Sequence, residues 1–229
     1  MTHAYHMLLL LSSLLALTAL QAIHAVQYKA SNTAGSTPGG TLFNNEIGIE
    51  YSERTLASAS EFIWQTFGQT SLADRKDVEL VNMFVDDMEG VANANSNNEI
   101  HVSARYIAGY SGDVKTEITG VLYHEATHIW QWDGMGQGQA PKVVEGIADY
   151  VRLKAGYAPS HWVKEGGGDE WDQRSDVTAR FLDYCSSLRA GFVAELNAKM
   201  RTSYNNTFFV DLLGKTVDQL WSDYKAKYP

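Results

Sequence analysis

The chain has 229 residues, a formal net charge of −9 and a single cysteine. The acidic balance excludes general electrostatic attraction to nucleic acid or anionic membranes, and a lone Cys185 excludes an internal disulfide. Packing must therefore hold the fold, and about 200 residues beyond a leader suffice for one domain with a sizeable core.

The first 25 residues carry no Lys, Arg, Asp or Glu, and Met7–Leu20 is a nearly continuous apolar run. Shorter than a typical bilayer span and placed at the amino end, it reads as a signal peptide over 1–25, cleaved after Ala25; an uncleaved anchor is the alternative. Residues 26–229 read as a single domain. No later segment is long and apolar enough to cross a membrane, so no stable membrane association is expected after cleavage. Residues 26–51 read as two short strands around an exposed loop, Ser31–Gly40. Ser52 is expected to cap a helix reaching Phe67, with Leu56, Ala59, Ile63 and Phe67 inward. Val78–Val85 reads as a strand. Asp86-Asp87-Met88-Glu89-Gly90 reads as a solvated turn, because it lacks the alternating carboxylates of an EF-hand loop. Val91–Ala94 and Glu99–Ser103 flank Asn95-Ser96-Asn97-Asn98 as the arms of a hairpin.

Val114–Trp132 has no proline and places Ile118, Val121, Leu122 and Ile129 at helical spacing, with Asp113 as N-cap and Gly134 as stop. Within it stands His124-Glu125-Ala126-Thr127-His128. Histidines four apart on a helix project from one face, so both imidazoles can bind one Zn²⁺ while Glu125 acts as base on the attacking water. A catalytic zinc also needs a third protein ligand and an open position. No histidine follows at the metzincin spacing; the residue six beyond His128 is Gly134. Val143–Val151 reads as a second helix, with Val143, Val144, Ile147 and Val151 toward a core and Glu145 and Asp149 four apart on another face. Glu145 is the candidate third ligand. Asp149 is the candidate acceptor for the second ring N–H of a ligating histidine.

Gly156–Trp171, centred on Gly166-Gly167-Gly168, reads either as a mobile rim of the cleft or as a surface connection. Ser175–Leu188 and Gly191–Met200 read as helices, and Thr216-Val217-Asp218-Gln219 as a capping box opening a final one. Cys185 reads as a buried, inert thiol, and Trp130, Trp132 and Trp162 as packing residues. Asn205-Asn206-Thr207 makes Asn205 a glycosylation candidate in a secreted chain.

His-Glu-x-x-His followed by Glu-x-x-x-Asp on the next helix resembles the gluzincin arrangement of zinc peptidases. More closely, residues 124–134, 138–141 and 145–154, with Phe84–Met88, Ile100–Tyr106 and Leu220–Tyr228, resemble the plant basic secretory proteins. These are secreted, pathogenesis-related and regarded as zinc peptidases. The resemblance implies an α+β, zincin-like fold: a small N-terminal sheet with an edge strand and the active-site helix, then a mainly helical C-terminal half, with zinc between. It puts Ile100-His101-Val102 at the sheet edge beside an extended substrate, His101 serving as strand or cleft wall rather than ligand. It also implies a peptide or protein substrate, secretion to the apoplast and a role in plant defence. The Gly-x-Met-Glu-Asn marker of gluzincin aminopeptidases is absent, which favours an endopeptidase. Tyr150, Tyr157, Tyr184 and His161 are the candidate oxyanion donors. The chain departs from its relatives in being acidic, so no charge-based wall affinity is carried over. It also has Arg174-Ser175 where relatives carry Gly-Tyr. If that tyrosine serves the oxyanion, the alternative is a weakly active or inactive zinc-binding defence protein that acts by binding a microbial or cell-wall partner. No pattern here specifies an oligomeric state.

Overall fold

Strand β2 (Leu80–Asp86) turns Val81, Met83 and Val85 into the core, as the two-residue period of a strand requires. It pairs in parallel with β1 (Gln27–Asn32) on one side and with β4 (Glu99–Ser103) on the other. The short β3 (Ala92–Ala94) closes the expected antiparallel hairpin with β4, giving the order β1-β2-β4-β3. This computed structural model describes residues 26–138 and 140–229, so the expected signal peptide lies outside the described residues.

The sheet order corrects one expectation. Ile100-His101-Val102 is internal, and β3 is the edge on that side, with β1 at the other. Ile100 and Val102 are fully buried. His101 lies on the opposite sheet face, stacked on Phe84 with ring centroids 5.2 Å apart and Nδ1 2.6 Å from Asp86 Oδ2. The acidic turn after β2 is solvated as expected, with Asp87 and Glu89 paired to exposed Arg105.

A second correction concerns the segment after β1, which is a helix rather than a loop leading to another strand. Helix α1 (Pro38–Glu46) starts with Pro38 at a position where a missing N–H does no harm. The Thr37 hydroxyl accepts the Gly40 N–H at 3.0 Å. A Cβ on Gly39 would sit 1.7 Å from the Ala104 carbonyl oxygen, and one on Gly40 would sit 1.9 Å from that of Ala34. Glycines that read as loop composition thus allow a close approach of backbones.

Helix α2 (Ile49–Thr66) buries Leu56, Ala59 and Ile63, with Phe67 just beyond it. Ser52 lies inside this helix rather than capping it, and donates to Gly48 O at 2.9 Å. After β4 come α3 (Ala104–Gly109) and α4 (Val114–Trp130), the latter capped by Asp113 Oδ1 accepting the Thr116 N–H. Ile118, Val121, Leu122 and Ile129 are buried as their spacing predicts. Trp130 is a core residue, donating to Ser60 Oγ at 2.9 Å and meeting Trp64 edge to face. The chain leaves α4 at Gln131, ahead of the expected stop.

Helices α5 (Ala140–Lys154), α6 (Ser175–Leu188), α7 (Phe192–Lys199), α8 (Thr207–Leu213) and α9 (Val217–Lys227) form the rest. The capping box of α9 is present, with Gln219 N donating to Thr216 Oγ1 at 3.2 Å; α8 opens at Thr207 of the Asn205-Asn206-Thr207 sequon. Gly146 brings α5 against α6, since a Cβ there would lie 2.2 Å from Thr178 Cγ2. The Gly166–Gly168 stretch is a surface connection tied to α9. Gly166 N–H donates to the Tyr224 hydroxyl at 2.7 Å, and Lys225 Nζ donates to the carbonyls of Gly166 and Gly168. The result is an α+β protein with a small mixed sheet and a mainly helical remainder. No helix among the described residues is long and apolar enough to cross a membrane. Cys185 is fully buried, and burial pushes its thiol pKa up.

Candidate metal centre and cleft

Helices α4 and α5 are packed so that three of the predicted side chains meet. Ligand atoms of His124, His128 and Glu145 all lie within 4.8 Å of one another. The two Nε2 atoms are 3.1 Å apart, and the Glu145 oxygens lie 3.4 Å from His124 Nε2 and 3.7 Å from His128 Nε2. Bonds of about 2.1 Å in a tetrahedral zinc site separate ligand atoms by roughly 3.3–3.5 Å. The donor set and its spacing therefore fit a Zn²⁺-sized cation.

The surroundings fix the rings. Asp149 is buried and its Oδ1 stands 2.7 Å from His124 Nδ1. The carboxylate oxygen accepts from Nδ1–H, which turns Nε2 toward Glu145 and leaves it as the ligand atom when His124 binds a cation as neutral imidazole. His128 has a partner that the sequence reading missed. Gln131 Nε2 lies 2.7 Å from His128 Nδ1, while buried Gln131 Oε1 has no partner among the described residues. No contact of the oxygen therefore fixes which end of the amide faces His128. With its termini exchanged, Oε1 accepts from Nδ1–H and leaves the Nε2 lone pair for a cation.

Electrostatics favour a positive charge here. Burial works against protonating His124, but its hydrogen bonds to Asp149 and Glu145 outweigh that and push its pKa up to about 10. Burial and the charge of His124 push His128 down. The His124 hydrogen bond holds Glu145 below the usual carboxylate range. Glu125 is buried, and desolvation raises its pKa to about 7, with Glu145 and Asp149 adding to the shift and His124 opposing it. Among the described residues it makes no hydrogen bond or ion pair, so its carboxylate is available in the cleft.

That cleft, of about 580 Å³, is walled by the β3 edge on one side and by His124, Glu125, His128, Val144 and Glu145 on the other. Val144, expected in the core, lines it. A smaller cavity of about 250 Å³ shares Ala92, His124 and Glu125 with it and extends past Val121, Arg152 and Trp162. The groove therefore crosses Glu125, running toward the start of α4 at one end and toward Gln131, Asp133 and Lys76 at the other. Lys76 comes from the loop before β2, where no periodic pattern could mark it.

None of the four expected oxyanion donors lines this cleft. Tyr150 and Tyr184 line a separate cavity of about 410 Å³ together with Arg180. Tyr157 packs against Tyr123 at 5.1 Å, and His161 is exposed. Arg174 turns its guanidinium onto Asp176. Asn205 is exposed, its Oδ1 accepting the Thr207 N–H at 2.8 Å.

Fold and site together define an α+β protein with a candidate two-histidine, one-carboxylate metal centre in an open cleft beside a sheet edge. Over residues 23–224 the chain matches the family described as "Peptidase of plants and bacteria", and it belongs to that family. It is also similar to a "Basic secretory protease" from Boswellia serrata, 54% identical over 59 residues, which is 26% of this chain and 67% of that protein. No solved structure matches significantly.

Proposed function

We propose that this chain is a secreted, zinc-dependent endopeptidase of zincin-like fold, with residues 1–25 as its signal peptide and 26–229 as one domain. The observation that carries this reading is the convergence of His124, His128 and Glu145 beside a buried, unpaired Glu125. Zinc held by those three side chains would supply Lewis-acid activation of the water and of the scissile carbonyl. His124 and His128 bind as neutral imidazoles, with Asp149 and Gln131 holding their rings. Glu125 takes the proton of the attacking water and returns it to the departing amine. The free edge of β3 offers N–H and C=O groups to an extended peptide and aligns it across the cleft. Continuation of the groove on both sides of Glu125 suits an internal bond rather than a terminal one.

Secretion is supported by the apolar leader and by the name of the Boswellia relative, and the apoplast as destination rests on the family resemblance. A role in plant defence rests on the family resemblance, and Asn205 is the proposed glycan site. The substrate is a peptide or protein, the net charge of −9 speaking against nucleic acid. The test is Glu125→Gln. The variant should bind one zinc and keep its fold while cleavage of a mixed peptide library falls by at least about 10²-fold, and a chelator should stop the unaltered protein. Undiminished cleavage by the variant would overturn the mechanism.

The position of the four aromatic and histidine candidates away from the cleft favours a second reading. In it the chain is a weakly active or inactive zinc-binding defence protein that holds a microbial or cell-wall partner. Partner binding that is equal in the protein and in Glu125→Gln, with no cleavage by either, would identify it.

A further inference from the structure

Among the described residues lining the main cleft, Lys76 is the one lysine or arginine, and the proposed hydrolysis leaves it without a task. It is half-buried, with Nζ 5.7 Å from the centroid of the Trp132 ring. Among the described residues its ammonium makes no hydrogen bond or ion pair. Asp133 is the acid that acts on it most, yet Asp133 Oδ1 is engaged by the Met135 N–H at 2.9 Å. Arg201 rests on the same indole, its Cζ 4.8 Å from the ring centroid. Burial also pulls the Lys76 pKa down, a sign that its charge is held partly out of water with too little compensation. The Trp132 face supports the ammonium but leaves its hydrogen-bond donors unfilled toward the cleft.

We propose that Lys76 forms a carboxylate-binding subsite on the His128 side of the scissile bond, so that peptides presenting an acidic group there are preferred. The inference rests on the peptidase reading above and names its substrate class. The overall charge of −9 repels acidic peptides at long range. At physiological ionic strength that field decays over about 8 Å, and the nearby ammonium decides. The carboxylate has two sources, an Asp or Glu side chain or the free C-terminus of the peptide.

The test uses peptides that differ only by Glu or Gln at each position flanking the cleaved bond, each with a free or an amidated C-terminus. Binding is measured to the zinc-loaded Glu125→Gln protein, alone and combined with Lys76→Met or Lys76→Glu, and kcat/KM is measured in the Glu125 background. Thermal melts and zinc content establish that each variant is folded and loaded. The Glu peptide should bind about five- to tenfold more tightly than its Gln counterpart at one position. That ratio should fall to near one in Lys76→Met and invert in Lys76→Glu. Loss of affinity on amidation instead, with the same dependence on Lys76, assigns the subsite to the C-terminal carboxylate. No acidic preference of either kind, or one that survives Lys76→Met, overturns the inference even if peptides are cleaved. Charge-dependent binding without any cleavage defeats the peptidase reading and leaves the carboxylate subsite standing.

Discussion

His128 depends on a residue three places further along, just where α4 ends. Gln131 is the neighbour that can present an acceptor to His128 Nδ1–H, and its buried oxygen has no competing partner among the described residues. Gln131→Leu should therefore weaken zinc binding by about 10–100-fold, the usual effect of removing a group that orients a ligating imidazole. Gln131→Glu, which accepts at the same place, should restore most of it, and zinc titration against a competing chelator reads both. Unchanged affinity in Gln131→Leu would mean that His128 is oriented by packing alone. Most of the site at this scale was legible. His124 and His128, and Glu145 and Asp149, lie four apart, and that spacing puts each pair on one helix face whatever the tertiary fold. Gln131 obeys the related three-residue spacing from His128 and could have been read the same way. Lys76 could not, because loop residues carry no face. The four oxyanion candidates do not line the main cleft: Tyr150 and Tyr184 follow the turn of α5 and α6, while Tyr157 and His161 sit in the connection between those helices.

The helices that deliver the ligands are held in register by a buried charge network. Glu117 of α4 accepts from Arg152 Nη2 of α5 at 2.8 Å and from the Tyr106 hydroxyl of α3 at 2.8 Å, while Arg152 Nε donates to Tyr157 O. Glu117→Ala should destabilise the fold by about 3–5 kcal/mol in urea or thermal unfolding, because Arg152 is left buried without its partner. Replacement costing under about 1 kcal/mol would show that water reaches the guanidinium. At the start of α6, burial opposes ionisation of Asp176, but hydrogen bonds from Arg174 and from the Val163 N–H outweigh it and its pKa is lowered. A depressed folded-state value means stability that is present above the unfolded carboxylate pKa of about 3.9 and lost as pH falls through the folded one. The difference in stability between the protein and Asp176→Asn should accordingly shrink as the pH drops below about 4. A difference that stays constant through that range would assign the role to packing. Elements with a periodic apolar face were readable from sequence, whereas α1 was not. Its Thr37-Pro38 start is a sound helix signal, but Gly39 and Gly40 masked it, and the reason for them lies at Ala104 and Ala34, distant or irregular backbone.

Across the molecule one apolar cluster runs from Ala34 to Tyr224, linking the sheet to the helical half. That continuity explains how a chain with one buried cysteine holds its shape without a cross-link. It also places the groove where β3 meets α4 and α5, so the sheet edge and the ligand pairs share one wall. The α+β class was expected from the resemblance, yet the edge position required strand order, which a three-residue strand barely signals. The account turns on α4 and α5 gripping a single cation, and a zinc titration of the purified protein tests it most directly. It predicts one zinc per chain, retained in Glu125→Gln and weakened about 100-fold or more in His124→Ala, His128→Ala and Glu145→Ala alike. Zinc bound as tightly by Glu145→Ala as by the unaltered protein, or no stoichiometric zinc at all, would contradict it.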